Sequence, residues 1–332
     1  MTPLLDTVSG QDTAVESLRR ALAGGRTHHA YLFEGPEGVG KERAAFGLAQ
    51  ALVCTESTAS GSACGTCSAC SRAVPKESGG LALHPDVIVL GRGLYEPAQI
   101  GRKTPESKEL SIDQVRTLVL ARAAFPPHEG RAKVFVVRAA DELSVSAANA
   151  LLKTLEEPGN ATHFILLTSR KAALLSTIRS RTLALRFGPL PPSVVERILL
   201  GRGVEAGLAA KIAETSDGSM ESALLATDDE ARAERETFVG RVKAAIEAAD
   251  AGDGYALAEE GKKGKADLPV LLEALAIAFA KDARDALKSG SHPAPEVHAK
   301  RHELVMQALR RLRGNGSAQL VMESLVLGLR AL

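Results

Sequence analysis

The 332-residue chain carries 45% hydrophobic and 24% charged residues and a net charge of +1. That balance describes globular material and excludes a global field drawing the chain, alone, to nucleic acid or an anionic membrane. No run of about 18 apolar residues occurs and residues 1–10 lack a basic region followed by an apolar one, so the expectation is a cytoplasmic protein without a membrane span. With 3% aromatic residues and no Trp, the core must rest on Ala, Leu and Val, and the length predicts two or three domains.

In chain order, a helical pattern at 13–23 leads to a short apolar run at 30–33, which reads as a strand. Directly after it stands Gly35-Pro36-Glu37-Gly38-Val39-Gly40-Lys41-Glu42, followed by an alanine-rich helical pattern at 41–53. Strand, glycine loop and helix are the context of a phosphate-binding loop: glycines let backbone N–H groups close on phosphate oxygens, and the lysine reaches the terminal phosphates. The residue after that lysine should be Ser or Thr, to bind Mg²⁺, but here it is Glu42. The loop thus keeps Gly35, Gly38, Gly40 and Lys41 as candidate nucleotide contacts and loses its metal hook. Binding of ATP or ADP by this chain is therefore doubtful.

All four cysteines follow, as Cys54-x9-Cys64-x2-Cys67-x2-Cys70. In a reducing compartment this clustering reads as metal rather than disulfide. Four thiolates close a tetrahedral Zn²⁺ site and leave no open position for water, so the expected role is structural.

Further apolar runs at 87–90, 134–137 and 164–168 alternate with helical patterns at 112–123, 146–155 and 172–178, predicting an α/β domain with a parallel sheet. Residues 91–109 read as an exposed excursion, and Pro126-Pro127 as a turn before the next strand. The run 134–137 resembles the second strand of an ATPase, which should end in Asp-Glu. Arg138 and Ala139 stand there instead; Asp141-Glu142 come three residues later and would serve only after a register shift, which the clean end of the apolar run at Val137 disfavours. After residue 188 strands cease: helices are predicted at 194–201, 206–215, 220–225 and 230–249, then from 268 to 332 with breaks at 289–295 and 314–317. Residues 252–267 read as a polar connection.

The residues HHAYLFEGPEGVGKE, the four-cysteine insertion, NALLKTLEEP and TIRSRT together resemble the bacterial clamp-loader AAA+ subunits of the DNA polymerase III holoenzyme, a family that includes gamma/tau and delta-prime. The resemblance runs from about residue 8 to 225. It implies an AAA+ P-loop domain (1–187, with the zinc module at 54–70), a helical lid (188–229) and an all-α collar (230–332). It also implies that Ser180-Arg181 match the family's Ser-Arg-Cys motif, with Arg181 a trans-acting arginine finger and Thr182 in place of the cysteine. Such a finger stabilises charge on the transferred phosphoryl group, commonly by ~10³–10⁵ in rate.

Three nucleotide-site elements depart from the ATPase pattern: Glu42, Arg138-Ala139, and Glu221 where a lid arginine is expected in Gly218-Ser219-Met220-Glu221. Finger and cysteines are intact. The pattern fits the delta-prime branch, which would complete a neighbour's ATP site without hydrolysing. Its implied partners are gamma/tau and delta subunits, with the sliding clamp and primed DNA met through the assembled complex. The alternative is an active gamma-like ATPase with an atypical site. A third class, a DNA-binding module on Lys153, Arg170, Lys171, Arg301, Arg310, Arg311 and Arg313, is disfavoured by the near-zero net charge. His28 and His29, with no further ligand at fixed spacing, read as packing residues.

Overall fold

The computed structural model describes residues 2–56, 61–77, 79–101, 109–159, 161–247, 268–289, 293–313 and 316–332. Residues 102–108 of the predicted excursion and the whole of the 252–267 connection lie outside them. The chain divides into two compact units, Met1–Val194 with Gly218–Glu221, and Val195–Asp217 with Ser222–Leu332.

The first unit is built on a parallel sheet of β1 (Ala30–Glu34), β2 (Val87–Leu90), β3 (Lys133–Val137), β4 (Thr162–Thr168) and β5 (Leu183–Arg186), ordered β2-β3-β4-β1-β5. β1 to β4 read as continuous apolar runs because helices cover both faces, as parallel sheets require. Tyr31, Phe33, Val87, Val89, Val134, Val136, Ile165 and Leu167 point to one side, against α1 (Asp12–Ala23) and α2 (Lys41–Val53). Their alternates Leu32, Ile88, Leu90, Phe135, Val137, Phe164 and Leu166 form the other core with α4 (112–123) and α5 (Val145–Glu156). α4 runs as Ile112–Gln114, Val115–Leu120 and Ala121–Ala123, its middle part in π geometry.

Two expectations change. β5 was not predicted: it is an edge strand, paired with β1 alone among the described strands, and its Leu-Ala-Leu-Arg sequence is largely exposed. The helix predicted at 172–178 splits into a 3₁₀ turn, Lys171–Ala173, and α6, Ser176–Arg179. Leu174 carries extended backbone angles between them and is buried in the second core.

Pro126-Pro127 does precede a turn, and the turn is held by a buried anion. Asp86, fully buried before β2, accepts the N–H groups of His128 (2.6 Å), Glu129 (2.8 Å) and Gly130 (2.7 Å).

In the second unit, α7 (Pro192–Leu200), α8 (Ala206–Thr215) and α9 (Met220–Leu225) are the short helices that the sequence predicted. α7 begins, and α9 begins, in residues assigned to the first unit. α10 (Asp229–Glu247), α11 (Leu268–Ser289), α12 (Pro295–Arg313) and α13 (Ala318–Arg330) share one core. Leu268, Leu272, Leu275 and Phe279 recur at helical spacing on α11 and meet Val305 and Leu309 of α12 and Met322, Leu325 and Leu329 of α13. Among the described residues no helix is long and apolar enough to cross a membrane.

Burial pushes the Asp86 carboxyl upward, but its three N–H donors outweigh burial and hold it below the ordinary value of 3.8. Its stabilisation is thus complete above that value and lost as pH falls through the lower folded one. Asp86→Asn is expected to cost about 1.5–3 kcal/mol at neutral pH. Urea unfolding should show this, with a smaller difference from the native chain in strong acid.

Candidate nucleotide loop and metal centre

The glycine loop joins β1 to α2, whose first residue is Lys41. Gly35 is required at its start: with φ at +152°, a Cβ there would lie 2.0 Å from the Phe187 carbonyl oxygen. Gly40 caps α2 in the left-handed region, with no side chain bonded to the cap. The loop rests on its surroundings through Gln11, which sequence reasoning missed. Gln11 Nε2 donates to the carbonyls of Val39 (3.1 Å) and Gly188 (2.7 Å), and its Oε1 accepts the Gly188 N–H.

Lys41 is buried and turned onto its own loop, where Nζ donates to the carbonyls of Gly35 (2.7 Å) and Pro36. Burial lowers its pKa; Glu37, Asp141 and Glu221 act against that. The segment Gly218–Glu221 lies directly on the loop. The Met220 N–H donates to the Gly38 carbonyl (2.9 Å), and a Cβ at Gly38 would meet Ser219 Oγ at 2.3 Å. The Glu221 carboxyl is raised, by partial desolvation first and then by Glu37 and Glu42, with Lys41 opposing. The cradle is thus lined by acids.

Glu42 and Arg138, at the two positions where Mg²⁺ ligands are expected, bond to each other. Arg138 donates Nη2 (2.7 Å) and Nε (3.1 Å) to Glu42 Oε1. The guanidinium also donates to the carbonyls of Gly80 (2.7 Å) and Gly79, and lies over the Phe46 ring, 5.8 Å from its centroid. β3 ends at Val137, so Asp141-Glu142 fall beyond the strand, in the turn Ala140–Glu142. Asp141 still lies close enough to influence Lys41. Its carboxylate accepts from Thr168 Oγ1 (2.8 Å) and Arg170 Nε (2.7 Å).

Cys54 ends α2, and Cys67 caps α3 (Ser68–Ala73), a short helix that was not predicted and that carries Cys70. The four sulfurs all lie within 4.8 Å of one another, with Cys54–Cys67 at 3.9 Å and Cys64–Cys70 at 3.8 Å. A tetrahedral ion with Zn–S bonds of about 2.3 Å has edges of about 3.8 Å, so this donor set fits zinc. Burial pushes the Cys67 thiol up, but the Cys70 N–H and the hydroxyl and N–H of Thr55 outweigh burial and bring it to about 6. N–H groups of Thr66 and Cys67 lower Cys64, whereas burial raises Cys54 and Cys70. A bound cation is what would allow all four to ionise.

Arg181 lies beyond the end of α6, partly exposed. It donates Nε (2.6 Å) and Nη2 to Glu156 of α5, and Nη1 to the Thr177 carbonyl (2.9 Å) and Ser180 Oγ (3.3 Å). Four of the cations weighed as DNA contacts have intramolecular partners. Arg170 pairs with Asp141 and Lys171 with Glu34 (2.6 Å); Arg301 lies over Phe279, and Arg311 donates to Ser324. His28 and His29 stack with centroids 4.3 Å apart, and the Ala30 N–H donates to His28 Nδ1, which fits packing.

Chain purified from zinc-supplemented cells is expected to hold one zinc by elemental analysis. Cys70→Ser should lower both the zinc content and the thermal midpoint.

The sequence profile of the family described as DNA polymerase III, delta subunit, matches residues 10–191. A delta-prime subunit of DNA polymerase III from Bacillus subtilis is 33% identical over 220 residues, 66% of this chain and 60% of that protein. A delta-prime subunit from Pseudomonas aeruginosa is 36% identical over 57% of this chain and 52% of its own length. A gamma/tau subunit from Mycobacterium bovis is 35% identical over 58% of this chain and 30% of its own length. The matches therefore span less than two thirds of these relatives. A solved gamma-subunit-related protein from Thermotoga maritima, 17% identical, superposes with a TM-score of 0.51 over 95% of this chain and 98% of that one, which establishes a shared fold. With more than half of its length matched by the family profile, this chain belongs to the DNA polymerase III delta-subunit family, and delta-prime and gamma/tau subunits are its relatives.

Proposed function

We propose that the chain is a delta-prime-type subunit of a DNA polymerase III clamp loader that does not hydrolyse ATP itself. The observation carrying this reading is the bond between Glu42 and Arg138. A hydroxyl and a carboxylate that would hold Mg²⁺ are replaced by an anion and a cation that satisfy each other. Lys41 bonded to its own loop and the acids Glu37 and Glu221 beside it support the same conclusion, since phosphate would enter against their charge.

On this reading Arg181 is the residue that acts on ATP, in trans, with Ser180 and Glu156 orienting it until a neighbouring subunit's nucleotide is met. The cysteines hold a structural zinc. Residues 188–229 serve as lid and 230–332 as collar, and the partners are gamma/tau and delta subunits, with clamp and primed DNA met in the assembly. The work is cytoplasmic. One observation favours the alternative, a gamma-like ATPase: Asp141 lies near Lys41. Its engagement by Thr168 and Arg170 is the reason to prefer the silent reading.

The test is the ATPase rate of a loader reconstituted with gamma and delta partners, clamp and primed DNA, after each variant is shown to assemble. Arg181→Ala should remove the finger's contribution, ~10³-fold or more at the site it completes, while Lys41→Ala leaves the rate nearly unchanged. The reverse pattern would make the chain a motor.

A further inference from the structure

The four-cysteine module is attached along α2, and at both ends of it. At the C-terminal end Cys54 is itself the cap of the helix, and one turn earlier Gln50 Nε2 donates to the Cys70 carbonyl (3.1 Å). At the N-terminal end the chain leaving the module passes through Gly79 and Gly80, whose carbonyls accept from Arg138. Arg138 in turn grips Glu42 in the first turn of α2 and covers Phe46 one turn further on. A single guanidinium, 13% exposed, thereby joins β3, α2 and the module's exit.

We infer that Glu42 and Arg138, standing where nucleotide-metal ligands are expected, form a clip that closes the four-cysteine module onto α2, and that the retention of zinc depends on this clip as well as on the cysteines. The inference rests on the reading of the cysteines as a zinc site. The exit has a second tie, within the module itself: the N–H groups of Leu83 and His84 donate to the Arg72 carbonyl. That tie keeps the exit near α3, which Gln50 and the buried Ala69 and Ala73 hold against α2, but does not fix the exit to the first turn of α2. The clip does so through four donor contacts from a planar fork, an arrangement that Lys, a flexible point charge, does not reproduce. Because clip and metal favour the same closed arrangement, each strengthens the other reciprocally.

The experiment measures the rate of zinc release from the full, zinc-loaded chain into excess of a chromophoric chelator, with zinc content determined beforehand and far-UV circular dichroism recorded. Arg138→Ala is expected to retain one zinc per chain yet release it at least about tenfold faster, as loss of charge-assisted hydrogen bonds implies. Arg138→Lys and Glu42→Gln should each release zinc faster than the native chain, and Arg20→Ala, at an exposed helix position, at the native rate. If Arg138→Ala does not fold, Glu42→Gln decides, since it removes one charge from a half-exposed group. Native release rates in Arg138→Ala and Glu42→Gln, or in Glu42→Gln alone where the first is unfolded, would overturn the inference. Loader ATPase does not enter this measurement, so failure of the clip and failure of the silent-subunit reading are separable. Absence of bound zinc in the native chain would overturn the clip by removing its premise.

Discussion

A guanidinium withdrawn from water keeps its charge, and its N–H groups must find acceptors where it stands. Arg138 meets both conditions at the tip of β3, with a carboxylate, two carbonyls and an aromatic face around it. Much of the surrounding architecture follows. The start of α2, the exit of the cysteine module and the end of the central strand are all positioned against one planar group, and none of them can move alone without leaving a donor unmatched. The bond to Glu42, which is 40% exposed, contributes modestly as an ion pair. The carbonyls of Gly79 and Gly80 have the stronger claim, because they are held by a charged donor whose position the strand fixes.

The same group changes what the glycine loop can do. A phosphate site needs a net positive opening, supplied by backbone N–H groups, the lysine and a metal ion held by neutral and anionic ligands. Here Arg138 is committed to Glu42, Arg170 to Asp141, and Lys41 to loop carbonyls, while Glu37 and Glu221 add negative charge beside it. The glycines remain for a separate reason. Gly35 and Gly38 are hemmed in by the Phe187 carbonyl and by the Glu221 backbone nitrogen, so a Cβ at either position meets main-chain atoms that cannot recede. On the proposed reading, packing keeps the glycines in place while the cations around the loop are engaged by internal partners.

Local periodicity made α2 legible to the residue, because its alanine-rich pattern begins at once after the left-handed Gly40. It made β1 to β4 legible because strands buried on both faces read as unbroken apolar runs. β5 escaped because an exposed edge strand has no such run. α3 escaped because a short helix built around cysteines is shaped by the arrangement of sulfurs rather than by amphipathicity. At the site, spacing marked the four cysteines that the fold brings together, and the misfit at Glu42 carried its own hint: an acid at the start of a glycine-loop helix calls for a cation. Which cation was not legible, since Arg138 lies 96 residues away and reaches Glu42 only once β3 lies within the sheet that α2 covers. Gln11 was hidden for the same reason.

On the proposed reading, Arg181 is a trans-acting charge that its own surroundings keep ready. An unpaired arginine at the end of a short helix would sample many rotamers, and ordering it on a partner's phosphate would cost up to ~2 kcal/mol of side-chain entropy. Glu156 and the Thr177 carbonyl fix the guanidinium in advance. Both members of the ion pair remain partly exposed, so the pair itself contributes only about 0–1 kcal/mol and resists displacement weakly. A phosphate group, with more charge and a matching bidentate geometry, out-competes a single carboxylate oxygen for the same fork. The contrast with Arg138 is then one of burial: one arginine is locked among carbonyls to hold the fold, and the other is held at the surface by a partner it can leave.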